Sequence, residues 1–201
     1  NAFTSYDYTG YYELFPANRM PLALELEADR MKNLIFDDKE FAKEHQVVME
    51  ERRQRTDDNP LAKAYESFRL LALPDSPKGE SVIGPMNELE SIKLSDLKNW
   101  YKTWYAPNNA TLVIVGDVQP QEVLTQVKRY FGDLEKSNLP KRTSVTQKGF
   151  RGYQKVDSEQ AVQVPVLLMG YNVPSLATAG TNNEKQAYAL SLAQDVLDGG
   201  L

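Results

Sequence analysis

The chain contains no cysteine. Disulfides, thiolate metal sites and cysteine nucleophiles are therefore excluded. Histidine occurs once, at His45. One imidazole without thiolates cannot build an ordinary zinc site, which takes three or four N, S or O ligands. Any metal held here needs donors outside these residues. A Ser-His-Asp triad could draw only on His45, and there is no G-x-S-x-G elbow. Walker A and G-x-G-x-x-G loops are missing, which removes the common phosphate cradles. No stretch reaches the roughly 18 apolar residues of a membrane span. The opening Asn1-Ala2-Phe3-Thr4 lacks the basic start and apolar run of a signal peptide. Excess positive charge is lacking too. With 23 basic against 28 acidic side chains and net charge -5, sequence-independent nucleic-acid binding is a poor fit.

What is present is ordinary globular composition. The 201 residues are 41% apolar and 25% charged, enough for one large domain or two small ones. Ala2 to Leu14 is rich in Thr, Tyr and Phe and reads as strand, with Gly10 as a possible break. A helical pattern runs from Pro16 to about Phe36. Asp37 or Asp38 caps a second helix reaching about Thr56, and Asp57-Asp58-Asn59-Pro60 starts a third. Pro74 to Gly84 is a loop. Ser95 is expected to cap a helix ending near Tyr105, with Trp100, Tyr101 and Trp104 in a helix-to-sheet core. Asn108-Asn109 belongs to a turn. Ala110 to Gly116 reads as a central strand, and Pro120 to Phe131 as a helix. Lys136 to Lys148 is the best linker. Tyr153 to Asp157 and Val162 to Tyr171 read as strands, and Thr181 to Leu197 as a helix capped by Gly199-Gly200. Helices in succession, irregularly mixed with strands, favour α+β: a mostly antiparallel sheet with helices on one face.

One helix face stands out. Glu44 and Glu51 are seven residues apart, so they return to within about 20° of each other. Val47 and Val48 lie between them, and Glu40 and Arg55 extend the stripe, while His45, Glu50 and Arg52 fall away from its centre. Valines ask to be buried and ionised carboxylates resist it, so a buried stripe of this kind calls for a cation or metal partner. The bland alternative is a solvated face laced with pairs such as Glu51–Arg55. His45, on the flank, is expected to be exposed rather than a ligand.

Three stretches in order carry a resemblance. They are Asn1-Ala2-Phe3-Thr4-Ser5 with Thr9, Glu44-x-x-Val47-Val48-x-Glu50-Glu51, and Trp104-Tyr105-Ala106-Pro107-Asn108-Asn109-Ala110-Thr111-Leu112 leading to Val115-Gly116-Asp117-Val118. Together the chain resembles the pitrilysin/insulinase family of zinc metallopeptidases, which includes the mitochondrial processing peptidases. That resemblance implies a clamshell of two similar α+β halves and one Zn2+ per catalytic half in the intact parent. Peptides are cut there by a metal-activated water. Two His and the general-base Glu come from H-x-x-E-H, and the third ligand is a downstream Glu.

Carried onto this sequence, Glu51 is the metal ligand and Glu44 the supporting carboxylate. Asn1, Ala2 and Phe3 form the edge strand that takes the substrate peptide by strand addition; a plain sheet strand is the alternative. H-x-x-E-H is absent and is expected about 25 residues upstream, so the chain reads as a fragment, inactive by itself and holding zinc weakly or not at all. Residues 1–93 would end the peptidase segment, truncated at its N-terminus, and 94–201 would start the next, truncated at its C-terminus. Expected partners are a peptide substrate and a second homologous half, in the same or another chain. The resemblance points to a bacterial cell-envelope location. A non-catalytic scaffold subunit of the same fold, or a peptide-binding module using the edge strand alone, remain alternatives.

Overall fold

The computed structural model of the chain describes residues 1–142, 152–180 and 183–198. It opens on a tight hairpin, β1 (Ala2–Thr4) against β2 (Thr9–Tyr11), antiparallel with Ala2 opposite Tyr11, Phe3 opposite Gly10 and Thr4 opposite Thr9. Ser5 closes the turn: its N–H and its hydroxyl both donate to the Tyr8 carbonyl, each at 2.9 Å. Gly10 does not break the strand. It pairs with Phe3, and a Cβ there would lie 2.4 Å from the Phe3 ring, so the absent side chain is what lets that ring lie across the hairpin.

Helices follow. A 3-10 turn over Ala17–Arg19 leads into α1 (Met20–Asn33), whose Leu24 and Ala28, one turn apart, are buried. Asp37 caps α2 (Asp38–Arg52), accepting from the N–H groups of Lys39 and Glu40 at 2.9 and 3.0 Å. This satisfies two of the donors a helix start leaves open. A π-helical turn, Arg53–Asp57, continues it. Asn59 and Pro60 then open α3 (Pro60–Ala72), Asn59 accepting from Leu61 and Ala62. After the loop come α4 (Met86–Ser91), α5 (Leu94–Trp104), α6 (Pro120–Phe131), the short α7 (Leu176–Ala179) and α8 (Glu184–Asp198).

α1 packs on α6, and α2 on α4. Leu24 and Ala28 of α1, Met49 of α2, Leu89 of α4 and Ala106 just after α5 are the buried apolar residues among those described. The class is α+β: helices dominate, and the sheet among the described residues is the antiparallel hairpin. No helix among the described residues is long and apolar enough to cross a membrane.

Several expectations are corrected. α5 starts two residues early because the Asp96 carboxylate reaches back to the Lys93 N–H at 2.9 Å, which makes Lys93 rather than Ser95 the cap position. Trp100 is 60% exposed instead of core; it sits on the outer side of α5, ring to ring with the half-buried Trp104. Ala110 to Gly116 forms no strand and pairs with none among the described residues, and Val113 and Val115 stand 74% and 91% exposed. Tyr153 to Asp157 and Val162 to Tyr171 likewise form no strand. A strand that is apolar on both sides needs ladder partners and a cover on each face, and the described residues supply neither. Of the expected linker, 143–148 lies outside the described residues, as does the Gly199-Gly200 cap. Its start is tied down: Asn108 exchanges two hydrogen bonds with the Ser137 backbone, at 3.0 and 3.1 Å.

Candidate functional site

The buried face of α2 runs through Phe41, His45, Val48, Met49 and Arg52, at spacings of three and four. Met49 and Arg52 are buried and the others half-buried. Glu44, Val47 and Glu51 lie on the flank of that face, toward solvent. Glu44 is exposed, Val47 is 58% exposed, and the Glu51 side chain is 38% exposed. The expected burial of the Glu44-Val47-Val48-Glu51 stripe is thus wrong by the better part of a right angle: the helix turns its Phe41–Arg52 side inward, because that side carries the bulkier apolar set. Glu51 pairs with Arg55 at 2.6 Å, and the Arg55 side chain is itself 76% exposed. Such a pair is weak, so the carboxylate keeps open lone pairs and a partner that can swing away.

His45 is also corrected. Its ring stacks on Phe41 at 5.3 Å, and its Nε2–H donates to the Leu89 carbonyl at 2.6 Å. The imidazole ties α2 to α4 rather than facing solvent.

Arg52, set aside by the stripe argument, is the most constrained charge among the described residues. Its side chain is 6% exposed. The guanidinium forks onto Glu66 of α3, Nη1 to Oε1 at 2.5 Å and Nη2 to Oε2 at 2.8 Å. It also donates to Asp57 Oδ1 at 3.1 Å, Ser81 Oγ at 3.2 Å and the Gly84 carbonyl at 3.2 Å. The hydrogen bond from Arg52 holds the Glu66 carboxyl below its ordinary range, against the opposing effect of burial, and the same pairing drives the Arg52 guanidinium further up. Asp57 reaches Arg52 because of the π turn. In an α-helix a residue five positions on lies about 140° away; where bonds run i to i+5, as from the Asp58 N–H to the Arg53 carbonyl at 2.8 Å, it returns over residue i. The signal was in the sequence: Phe41, His45, Val48 and Arg52 fall at i, i+4, i+7 and i+11.

The hairpin is anchored at both ends. At its tip, Tyr6 donates to the Glu80 carbonyl at 3.0 Å and Lys78 pairs with Asp7 at 2.9 Å. At its stem, the Tyr11 and Tyr105 hydroxyls meet at 2.6 Å, the Arg30 guanidinium lies 3.6 Å over the Tyr11 ring, and Tyr101 stacks on Tyr105 at 4.7 Å while donating to the Arg30 carbonyl. Burial, helped by the Tyr11 contact, pushes Tyr105 above the ordinary phenol range. Asn1 exchanges both backbone bonds with Tyr12, at 2.9 and 3.0 Å. By the alternation of an antiparallel ladder, Asn1 and Phe3 therefore face inward, while Ala2 and Thr4 turn N–H and C=O to the open edge. Phe3 is half exposed and meets Tyr8 edge-on at 5.6 Å.

The family model described as "Insulinase (Peptidase family M16)" matches residues 1–85, and that described as "Peptidase M16 inactive domain" matches 91–201. The chain belongs to peptidase family M16, the insulinase family. A Helicobacter pylori protein named zinc protease PqqE is 34% identical over 182 residues, which are 87% of this M16 chain and 40% of that protein. An Arabidopsis thaliana protein named probable mitochondrial-processing peptidase subunit beta is 31% identical over 147 residues, 72% of this chain and 27% of its own length. The crystal structure of a protease from Helicobacter pylori superposes with a TM-score of 0.69 at 34% identity, covering 74% of this chain and 36% of that one. The chain thus spans well under half the length of these relatives.

The Helicobacter pylori relative is named a zinc protease, and the residues here fit zinc in part. Glu51 offers an accessible carboxylate oxygen, a donor zinc accepts, with a second carboxylate two turns away on the same flank. No group of three His, Cys, Asp or Glu able to hold a metal occurs among the described residues. The donors on this flank are two carboxylates, fewer than the three or four ligands zinc takes.

Proposed function

We propose that this chain is part of a zinc endopeptidase, in which Glu51 would be one metal ligand, Glu44 the carboxylate that supports it, and Asn1, Ala2 and Phe3 the strand that aligns the substrate. The observation that carries this reading is the Glu51 carboxylate, held on the open flank of α2 in line with Glu44, in a chain of the M16 family. Zinc, when bound, supplies Lewis-acid activation of the attacking water. The chain's own contribution is separate: a fixed oxygen donor, and backbone groups of Ala2, joined by Thr4, ready to add an extended peptide to the sheet edge. Asn1 and Phe3 would act through their side chains, because their backbone groups are used within the hairpin. Residues 1–93 would close the peptidase segment and 94–201 begin the next, which the two family matches support. The remaining ligands and the base would come from the rest of a longer protein, which would pair this half with a second one. These 201 residues alone would cut no peptide.

The test is the zinc content of the full-length protein carrying Glu51→Gln. Loss of metal is expected; undiminished metal takes Glu51 off the ligand list.

A second reading has one observation in its favour. More than half of the chain matches a domain described as inactive, so a non-catalytic subunit that keeps the fold is the competitor. Intact histidines in H-x-x-E-H of the full-length protein would favour the peptidase, and degenerate ones the scaffold.

A further inference from the structure

Glu51 and Arg52 are neighbours on α2, about 100° apart around the helix. Whatever fixes one fixes the direction of the other. Glu51 cannot fix itself, since its recorded ion pair is with the solvent-exposed Arg55. Arg52 is gripped by three separate pieces of chain: Glu66 on α3, Asp57 in the π turn, and Ser81 with Gly84 in the loop before α4. The forked bond to Glu66 defines the guanidinium plane as well as its position. The π turn, a rare distortion frequent at functional sites, folds Asp57 back over the same group and ends the α-helix one residue after Glu51.

From this juxtaposition we propose that Arg52 is a positioning residue: the Arg52–Glu66–Asp57 clamp sets the roll of the last turn of α2 and so aims the Glu51 carboxylate at the metal. The proposal rests on reading Glu51 as a zinc ligand, and it assigns Arg52 no contact with metal or substrate. Lysine at this position would keep a charge but not the fork. It could satisfy Glu66 or Asp57, and not hold both in one plane.

The experiment measures zinc affinity by chelator competition, together with thermal unfolding, on the full-length protein and three variants: Glu51→Gln, Arg52→Lys, and Arg52→Met with Glu66→Leu. Arg52→Lys is expected to bind zinc about 10- to 100-fold more weakly while still folded, the range typical of groups that orient a ligand. The Met/Leu pair removes both charges of the salt bridge and fills their space, a change that commonly preserves stability. It is expected to keep its unfolding temperature and still lose zinc affinity by about tenfold or more. A merely structural role would lower the unfolding temperature and leave zinc affinity of the folded variants at the wild-type value, and that result overturns the proposal. Undiminished zinc in Glu51→Gln removes the underlying reading itself, whatever the Arg52 variants do, so the two failures are distinguishable.

Discussion

The two sides of α2 treat charge in opposite ways. On the inner side Arg52 is buried and donates to four residues. On the flank, one residue away, Glu51 has a solvent-exposed cation beside it and Glu44 is open to water. A buried guanidinium is tolerable only when its donors are satisfied, so the inner charge is committed to the fold. The flank charge is held only by the exposed Arg55, and a group that must take a ligand cannot already be saturated. The contrast teaches where on this helix to look for stability and where for chemistry.

Breaking the inner side should have the largest effect. Arg52→Ala leaves Glu66 half-desolvated without its partner, and breaking a buried pair this way costs about 3–5 kcal/mol. Urea unfolding should show it as a large fall in midpoint. The same pair gives a pH signature. The Glu66 carboxyl is held below its ordinary value of 4.5 by Arg52. A depressed folded-state value means the stabilisation is complete above the unfolded value and is lost as pH falls through the folded one. Stability should therefore drop below about pH 4.5, and Glu66→Gln should flatten that drop.

The hairpin allows the comparison to be made again at its two edges. Ala2→Pro removes an N–H that the ladder does not use, whereas Phe3→Pro removes one that it does. In the full-length protein Ala2→Pro should raise KM about tenfold, roughly the 1.4 kcal/mol of one charge-free backbone bond, with the unfolding temperature held. Phe3→Pro should lower the unfolding temperature first. An unchanged KM in Ala2→Pro would take the edge strand out of substrate binding.

How much of this was readable beforehand depended on the range of the interactions. Helix positions followed from local chemistry: Asp37 and Asn59 as caps and Pro60 in the first turn sit where their side chains and missing N–H demand. α5 slipped by two because Asp96, a residue past the expected Ser95 cap, found the Lys93 N–H. The roll of α2 was misjudged because two valines drew attention away from Phe41, whose ring with His45 and Met49 outweighs them. The π turn was not readable at all, since it depends on Asp57 meeting an arginine that is held in place by α3 and a distant loop. The stretches around Val113 and Val166 were read as strands on composition, and composition alone does not bring a partner strand alongside.

The smallest expected effect is the sharpest test of the contrast. Glu51→Gln in this chain should change folding stability by less than about 0.5 kcal/mol. The pair it removes joins a 38%-exposed carboxylate to a 76%-exposed guanidinium four residues on, and such pairs contribute about 0.3–0.5 kcal/mol. Glutamine keeps the side-chain length and most of its packing, so little else is lost. Denaturant melts of Glu51→Gln and Arg52→Ala side by side measure the two faces on one scale. A Glu51→Gln loss of 2 kcal/mol or more would mean that the carboxylate serves the fold as Arg52 does, and the division between the two sides of α2 would not stand.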